Sequence, residues 1–208
     1  SQLLTAWRSA AGKLSLPIGV LSLQGDFREH AQTLDSLGLE NRYVRTPQEL
    51  ESVSGLIIPG GESTVIQKLA TNYDLFEPIK NKIKSGLPTF GTCAGLIMLA
   101  EKIVDGIEGQ IGFGGLDVSV RRNAFGNQLD SFETDLSFKG ITGEPVHAAF
   151  IRAPIVEEVG PGVEVLSSLD DGRVVAVRAQ NVMGIAFHPE VTGELRVHQL
   201  FLKMVDSR

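Results

Sequence analysis

Three short apolar runs set the limits on this fold. LPIGVLSL (16–23), SGLIIPGG (54–61) and LPTFGT (87–92) are each the length of a buried strand and carry almost no polar interruption. A helical pattern follows each of them. DFREHAQTLDSLG follows the first, with Asp26 where an N-cap belongs, Glu29 three residues on as in a capping box, and Gly38 at the helix end. ENRYVRT reads as a further short strand. ESTVIQKLATNYD and LFEPIKNKIKSG read as helices after the second run, and CAGLIMLAEKI as the helix after the third. This alternation predicts an α/β fold with a mostly parallel central sheet and helices on both faces.

The second half has a different rhythm. LDVSVRR, LDSFETDL, VHAAFIRAP, VEVLSSL, VVAVRAQ and VMGIAFH are short strand-like runs between Gly, Asp and Pro signals. They predict antiparallel additions to the sheet, or a small second sheet. TGELRVHQLFLKMVD (192–206) reads as a closing helix with Thr192 as N-cap. No linker splits the chain of 208 residues, so residues 16–208 are expected to form one domain. Residues 1–15 stand apart. They carry Arg8 and Lys13 without an acid, and Leu3, Leu4, Trp7, Ala11 and Leu14 fall near one helical face. They read as an extension or a short surface helix without the apolar core of a secretory signal.

Charge narrows the function. The net charge is −6 and no basic block occurs, which argues against a nucleic-acid or anionic-membrane partner. No run approaches the roughly 18 apolar residues that span a bilayer. The single cysteine excludes an internal disulfide and a multi-cysteine metal site, and fits the reducing cytoplasm.

That cysteine lies in Gly91-Thr92-Cys93-Ala94-Gly95, between a buried strand and a helix. Strand, tight turn and helix with a nucleophile in the turn is the plan of a nucleophile elbow. It lifts Cys93 above the carboxyl end of the strand, at a helix N-terminus that favours an anion, with the Ala94 N–H placed for an oxyanion. A thiol nucleophile needs a base and the base an orienter. His188 ends the run VMGIAF and opens His-Pro-Glu, where Glu190 can reach back to the imidazole. His30, His147 and His198 read as surface or packing residues. PGGES (59–63) exposes backbone N–H groups at another strand end, suited to an oxyanion or an anionic group, and lacks the phosphate-loop pattern.

Together these features resemble the class I, triad-type glutamine amidotransferases, whose domain is flavodoxin-like. SLQGDFREH, IPGGEST, GTCAGLI, RRNAFGNQLDSFE, AFIRAP and AFHPE, in that order, are more narrowly similar to the glutaminase subunits of pyridoxal 5′-phosphate synthase, over roughly residues 17–205. The resemblance implies that Cys93 attacks the carboxamide of L-glutamine, that His188 moves the proton under the hold of Glu190, and that a γ-glutamyl thioester forms. It implies an oxyanion hole of Gly61 and Ala94, and substrate contacts from Gly61, Glu62, Ser63, Arg122, Ile151 and Arg152. It implies no metal and no organic cofactor. It also implies a partner, a barrel-shaped synthase subunit that takes up the ammonia in a large hetero-oligomer, with Gln24, Asp26 and His30 near that interface. Residues 1–15 have no counterpart in the family, and the loop at 103–116 is expected at the mouth of the site. Three other readings stand beside this one: a glutaminase serving another synthase, a PfpI-type cysteine hydrolase, and a flavodoxin-like binding module with a structural cysteine. The PfpI-type group usually places histidine directly after its cysteine, where this chain has Ala94.

Overall fold

The computed structural model describes residues 16–123 and 131–207. The first half follows the expected alternation. Strands β1 (Ile18–Leu21), β2 (Asn41–Val44), β3 (Gly55–Ile58) and β4 (Thr89–Thr92) alternate with helices α1 (Phe27–Ser36), α2 (Pro47–Glu51), α3 (Ser63–Asn72) and α4 (Phe76–Lys84). Helix α5 (Ala94–Leu99) follows β4, and strands β5 (Ala100–Val104), β6 (Leu116–Arg121), β7 (Ser131–Leu136), β8 (Val146–Ile151), β9 (Ile155–Val159), β10 (Glu164–Ser168), β11 (Val174–Ala179) and β12 (Val182–Ile185) come next. Helices α6 (Pro189–Thr192) and α7 (Leu195–Asp206) close the chain.

Among the described residues ten strands form one sheet in the order β2-β1-β3-β4-β12-β11-β9-β6-β5, with β10 paired to β11. From β2 through β12 every pairing is parallel. Beyond β12 the pairings are antiparallel, except that β5 lies parallel to β6. A separate antiparallel ribbon is made of β7 and β8. The second half therefore supplies both antiparallel additions and a small second sheet.

Four details differ from the sequence reading. β12 is parallel and central, pairing Ile185 with Thr92 of β4. All four of its residues are buried, as fits a strand covered on both faces. The helix after Cys93 stops at Leu99, because the Met98 carbonyl accepts from the N–H groups of Phe113 and Gly114 and is lost to the helix ladder. Residues 100–104 continue as a strand. The closing helix starts at Leu195 rather than near Thr192. Gly193 takes a left-handed conformation (φ 73°), and the Glu194 carboxylate caps α7 by accepting from the Arg196 N–H. The short helix α2 was not expected: Thr46 accepts from the Glu49 N–H (3.1 Å), and Pro47 opens the turn.

Candidate active site

The cysteine corner is built by close packing. Cys93 stands at the start of α5 with φ 54° and ψ −106°, a conformation that side-chain-bearing residues rarely adopt. Its N–H donates to the Ile185 carbonyl of β12 at 2.9 Å. A Cβ on Gly95 would sit 2.1 Å from the Ile58 carbonyl oxygen of β3, and one on Gly91 would sit 2.5 Å from Gly95 itself. Both glycines are needed for the helix to start this close to the sheet. The thiol is nearly buried, at 7% exposure, and lies 3.8 Å from the Ile151 carbonyl.

His188 arrives from the neighbouring strand. Its N–H donates to the Ala149 carbonyl at 3.0 Å, which fixes the chain as it leaves β12. Its Nδ1 lies 2.6 Å from Glu190 Oε1 and 3.4 Å from Asp26 Oδ2. Cys93 lines the same cleft as His188 and favours the charged imidazole. With Nδ1 held by carboxylates, Nε2 is the atom left for the sulfur. Gly60 is pressed against this ring, for a Cβ there would lie 2.6 Å from His188 Cε1.

A cleft of about 560 Å³ opens over this pair, within the size range of small-molecule sites. Gly61, Glu62, Ser63, Ala94, Arg122, Ile151 and Arg152 all line it. The turn at Gly61 is pinned from β1's side, where Gln24 Oε1 accepts from the Glu62 N–H at 2.9 Å. Ser63 Oγ receives Gln110 Nε2 at 2.7 Å, so the 105–115 loop reaches the start of α3. Arg122 holds its place through its backbone N–H, which donates to Asp105 Oδ1 at 2.9 Å. Arg152 is another residue at positive φ (46°), at the end of β8. The rest of the motif around Arg122, residues 124–130, lies outside the described residues, as do residues 1–15.

The three residues expected near a partner surface separate here. Gln24 and Asp26 line the cleft. His30 is fully buried and offers no surface to a partner. Its Nδ1 is 2.9 Å from His198 Nε2, and its Nε2 is 3.1 Å from Thr92 Oγ1. His198 is likewise buried, as a packing residue, whereas His147 is exposed between Asp135 and Glu133. The position of Asp26 beside His188 was not read from the sequence. The one available signal was the four-residue spacing of Asp26 and His30, which puts both on one face at the start of α1.

Charge in the site follows from burial and contact. Burial acts to lower His188, but its neighbours Asp26, Cys93 and Glu190 outweigh it and push the imidazole up to about 12. Burial pushes Glu190 up to about 8. Asp26 moves the other way: against its own burial cost, its neighbours His188 and Glu190 hold its carboxylate below the usual range. Burial pushes His30 down to about 4, and His198 well below its ordinary value.

These shifts set a pH dependence. A raised His188 contributes stability that is complete below 6.5 and is lost as pH rises toward about 12. Glu190 has the same sign, with its contribution complete below 4.5 and lost as pH rises through about 8. The two depressed histidines act oppositely and withdraw stability as pH falls below 6.5. In His188→Asn the alkaline fall between about pH 8 and 11 is expected to be shallower than in the wild type. Urea-unfolding midpoints across that range check this, and equal slopes would contradict it.

The SNO glutamine amidotransferase family model matches residues 20–207. A pyridoxal 5′-phosphate synthase subunit PdxT from Leifsonia xyli subsp. xyli is 60% identical over 191 residues, covering 92% of this chain and 96% of that protein. The subunit of the same name from Clavibacter sepedonicus is 59% identical over 190 residues, covering 91% of each. A crystal structure of a glutamine amidotransferase superposes with a TM-score of 0.85 at 46% identity, over 90% of this chain and 98% of the other. On the strength of these matches and of the fold, the chain belongs to the SNO glutamine amidotransferase family.

Proposed function

We propose that this chain hydrolyses L-glutamine to L-glutamate and ammonia through Cys93, His188 and Glu190. One observation carries the reading: His188, held at Nδ1 by the buried Glu190 at 2.6 Å, shares with the elbow cysteine a cleft sized for an amino acid. The sulfur of Cys93, its proton already passed to His188, bonds to the side-chain carbonyl carbon of glutamine. The carbonyl electron pair moves onto oxygen, where the N–H groups of Gly61 and Ala94 hold it. Collapse breaks the C–N bond, and His188 returns the proton to the departing nitrogen. Ammonia leaves and a γ-glutamyl thioester remains. Water then gives a proton to His188 and adds to the thioester carbon, and the second collapse breaks the C–S bond, releases glutamate and leaves the Cys93 sulfur beside a protonated His188, as at the start. Arg122 and Arg152 are placed at the cleft to meet the α-carboxylate of glutamine, for which a guanidinium is a suitable fork. Glu62 and Ser63 complete the contacts at the Gly61 turn.

The relatives carry the name of a pyridoxal 5′-phosphate synthase subunit, which supports delivery of the ammonia to a synthase partner; a large hetero-oligomer in the cytoplasm is proposed with it. Among the described residues no helix is long and apolar enough to cross a membrane. Gln24, on the cleft rim, is proposed to face that partner, and residues 1–15 are proposed to lie outside the catalytic domain of 16–208. Glutamate release by the purified chain, measured with and without a synthase subunit from the same source, tests this. Stimulation by the synthase is the expected result. Absence of glutamate in both conditions would overturn the proposal.

A second prediction concerns the orienter. Glu190→Gln keeps the shape and the acceptor for His188 but loses the charge. It is expected to lower kcat by about 10- to 100-fold, less than loss of the base itself. Steady-state glutamate release in the presence of the synthase checks it, and loss equal to that of His188→Asn would contradict it.

A further inference from the structure

The capping box spelled by Asp26 and Glu29 does not form. Asp26 occupies the N-cap position of α1, yet its side chain makes no cap hydrogen bond. It turns inward instead, to 3.4 Å from His188 Nδ1, the same nitrogen that Glu190 meets at 2.6 Å. One oxygen of each carboxyl is thereby accounted for. The others, Asp26 Oδ1 and Glu190 Oε2, are buried and have no hydrogen-bond donor. Both look toward His30 Nε2, at 4.0 and 3.6 Å. That nitrogen already has Thr92 Oγ1 at 3.1 Å, and the far side of the His30 ring meets His198 Nε2 at 2.9 Å. The facing atoms of Asp26, His30 and Glu190 all lie within 4.8 Å of one another.

Two ionised carboxylates here, against the one imidazolium of His188, leave an excess negative charge in a buried space. Two buried oxygens without a donor are costly. His30 and His198, both pushed down by burial, do not supply the missing positive charge. Cys93, on the other side of His188, brings none. A single proton between the two carboxyl groups satisfies both orphaned oxygens at once, as when two acids share one site.

We propose that Asp26 and Glu190 share one proton between Oδ1 and Oε2 and orient His188 as a pair, which makes Asp26 a positioning residue. The proposal rests on the reading of Cys93 and His188 given above. It explains why the residue at the head of α1 forgoes its cap, and why Glu190, a buried acid without a cation of its own except His188, is tolerated. Opposite shifts of the two acids, Glu190 up and Asp26 down, accompany the arrangement.

The test has two parts. The first is a double-mutant cycle with Asp26→Asn and Glu190→Gln, read as glutamate release in the presence of the synthase subunit. If the carboxyls act as a pair, each takes over part of the role when the other is neutralised. Asp26→Asn then lowers kcat by about tenfold with KM within about threefold, and the double variant loses clearly more than the product of the two single losses. A double loss equal to that product, or Asp26→Asn at wild-type kcat, overturns the proposal. The second part needs no activity. With 13C-labelled carboxyls in the full chain, Glu190 is followed through its titration in the wild type and in Asp26→Asn. Removing the neighbouring acid is expected to move the Glu190 titration down by about one pH unit or more. An unmoved Glu190 titration overturns the shared proton. If the wild type releases no glutamate, the glutaminase reading fails, and the carboxyl titration still decides whether the pair exists.

Discussion

Cys93→Ala is expected to abolish glutamate release, by at least about 10³-fold in kcat, while the protein stays folded. The size follows from the role. Without the sulfur no thioester forms, and the remaining groups only bind and polarise the carboxamide. The fold survives because the change removes one small atom from a nearly buried position and leaves the backbone hydrogen bond from residue 93 to Ile185 in place. The positive φ of Cys93 refines the prediction. An alanine there keeps the strained backbone, whereas a glycine adopts it freely. Cys93→Gly is therefore expected to be at least as stable as Cys93→Ala and equally inactive. Thermal unfolding with a glutaminase assay checks both. Residual turnover within tenfold of wild type in either variant would remove Cys93 from the mechanism.

Gly95→Ala is expected to have a large structural effect for a single added methyl group. Its Cβ would lie 2.1 Å from the Ile58 carbonyl oxygen, and that oxygen belongs to the backbone of a fully buried strand, which cannot swing aside. Helix α5 must therefore move away from β3, carrying Cys93 and Ala94 with it. A loss of about 3 kcal/mol of stability is expected, at the upper end of the cost of overpacking. Activity should fall further than the folded fraction, because the oxyanion-binding N–H of residue 94 is displaced. Gly162→Ala is the control: nothing lies within 4 Å of its Cβ position, and both stability and activity should stay near wild type. Urea denaturation of the two variants distinguishes them, and a neutral Gly95→Ala would contradict the packing account of the elbow.

The legible parts of this molecule were those where local chemistry and the global fold agree. β1 and β3 are buried on both faces, and their continuously apolar sequences announce parallel strands. The elbow was legible because Gly91 and Gly95 flank the lone cysteine at a strand end. β12 was read as a strand but not as the parallel neighbour of β4, since nothing local in VMGI fixes its partner. The end of α5 was misread because the Met98 carbonyl is captured by residues 113 and 114, fifteen positions or more downstream. Asp26 shows the same limit at the candidate site. Its local pattern reads as a helix cap, and a tertiary demand from His188 overrides it. His30 was read as a surface or packing residue, a choice its local pattern leaves open. Its burial depends on His198, which is 168 residues away in the sequence.

The central claim is that Cys93 attacks the carboxamide carbon of glutamine. The most direct measurement is mass mapping after treatment of the chain, with its synthase partner present, with a glutamine analogue that carries an electrophilic diazoketone in place of the carboxamide. The expected result is a single adduct on the peptide containing Cys93, formed more slowly when glutamine is added and absent in Cys93→Ala. Failure to form that adduct, or its formation at a rate that glutamine does not change, would contradict the account.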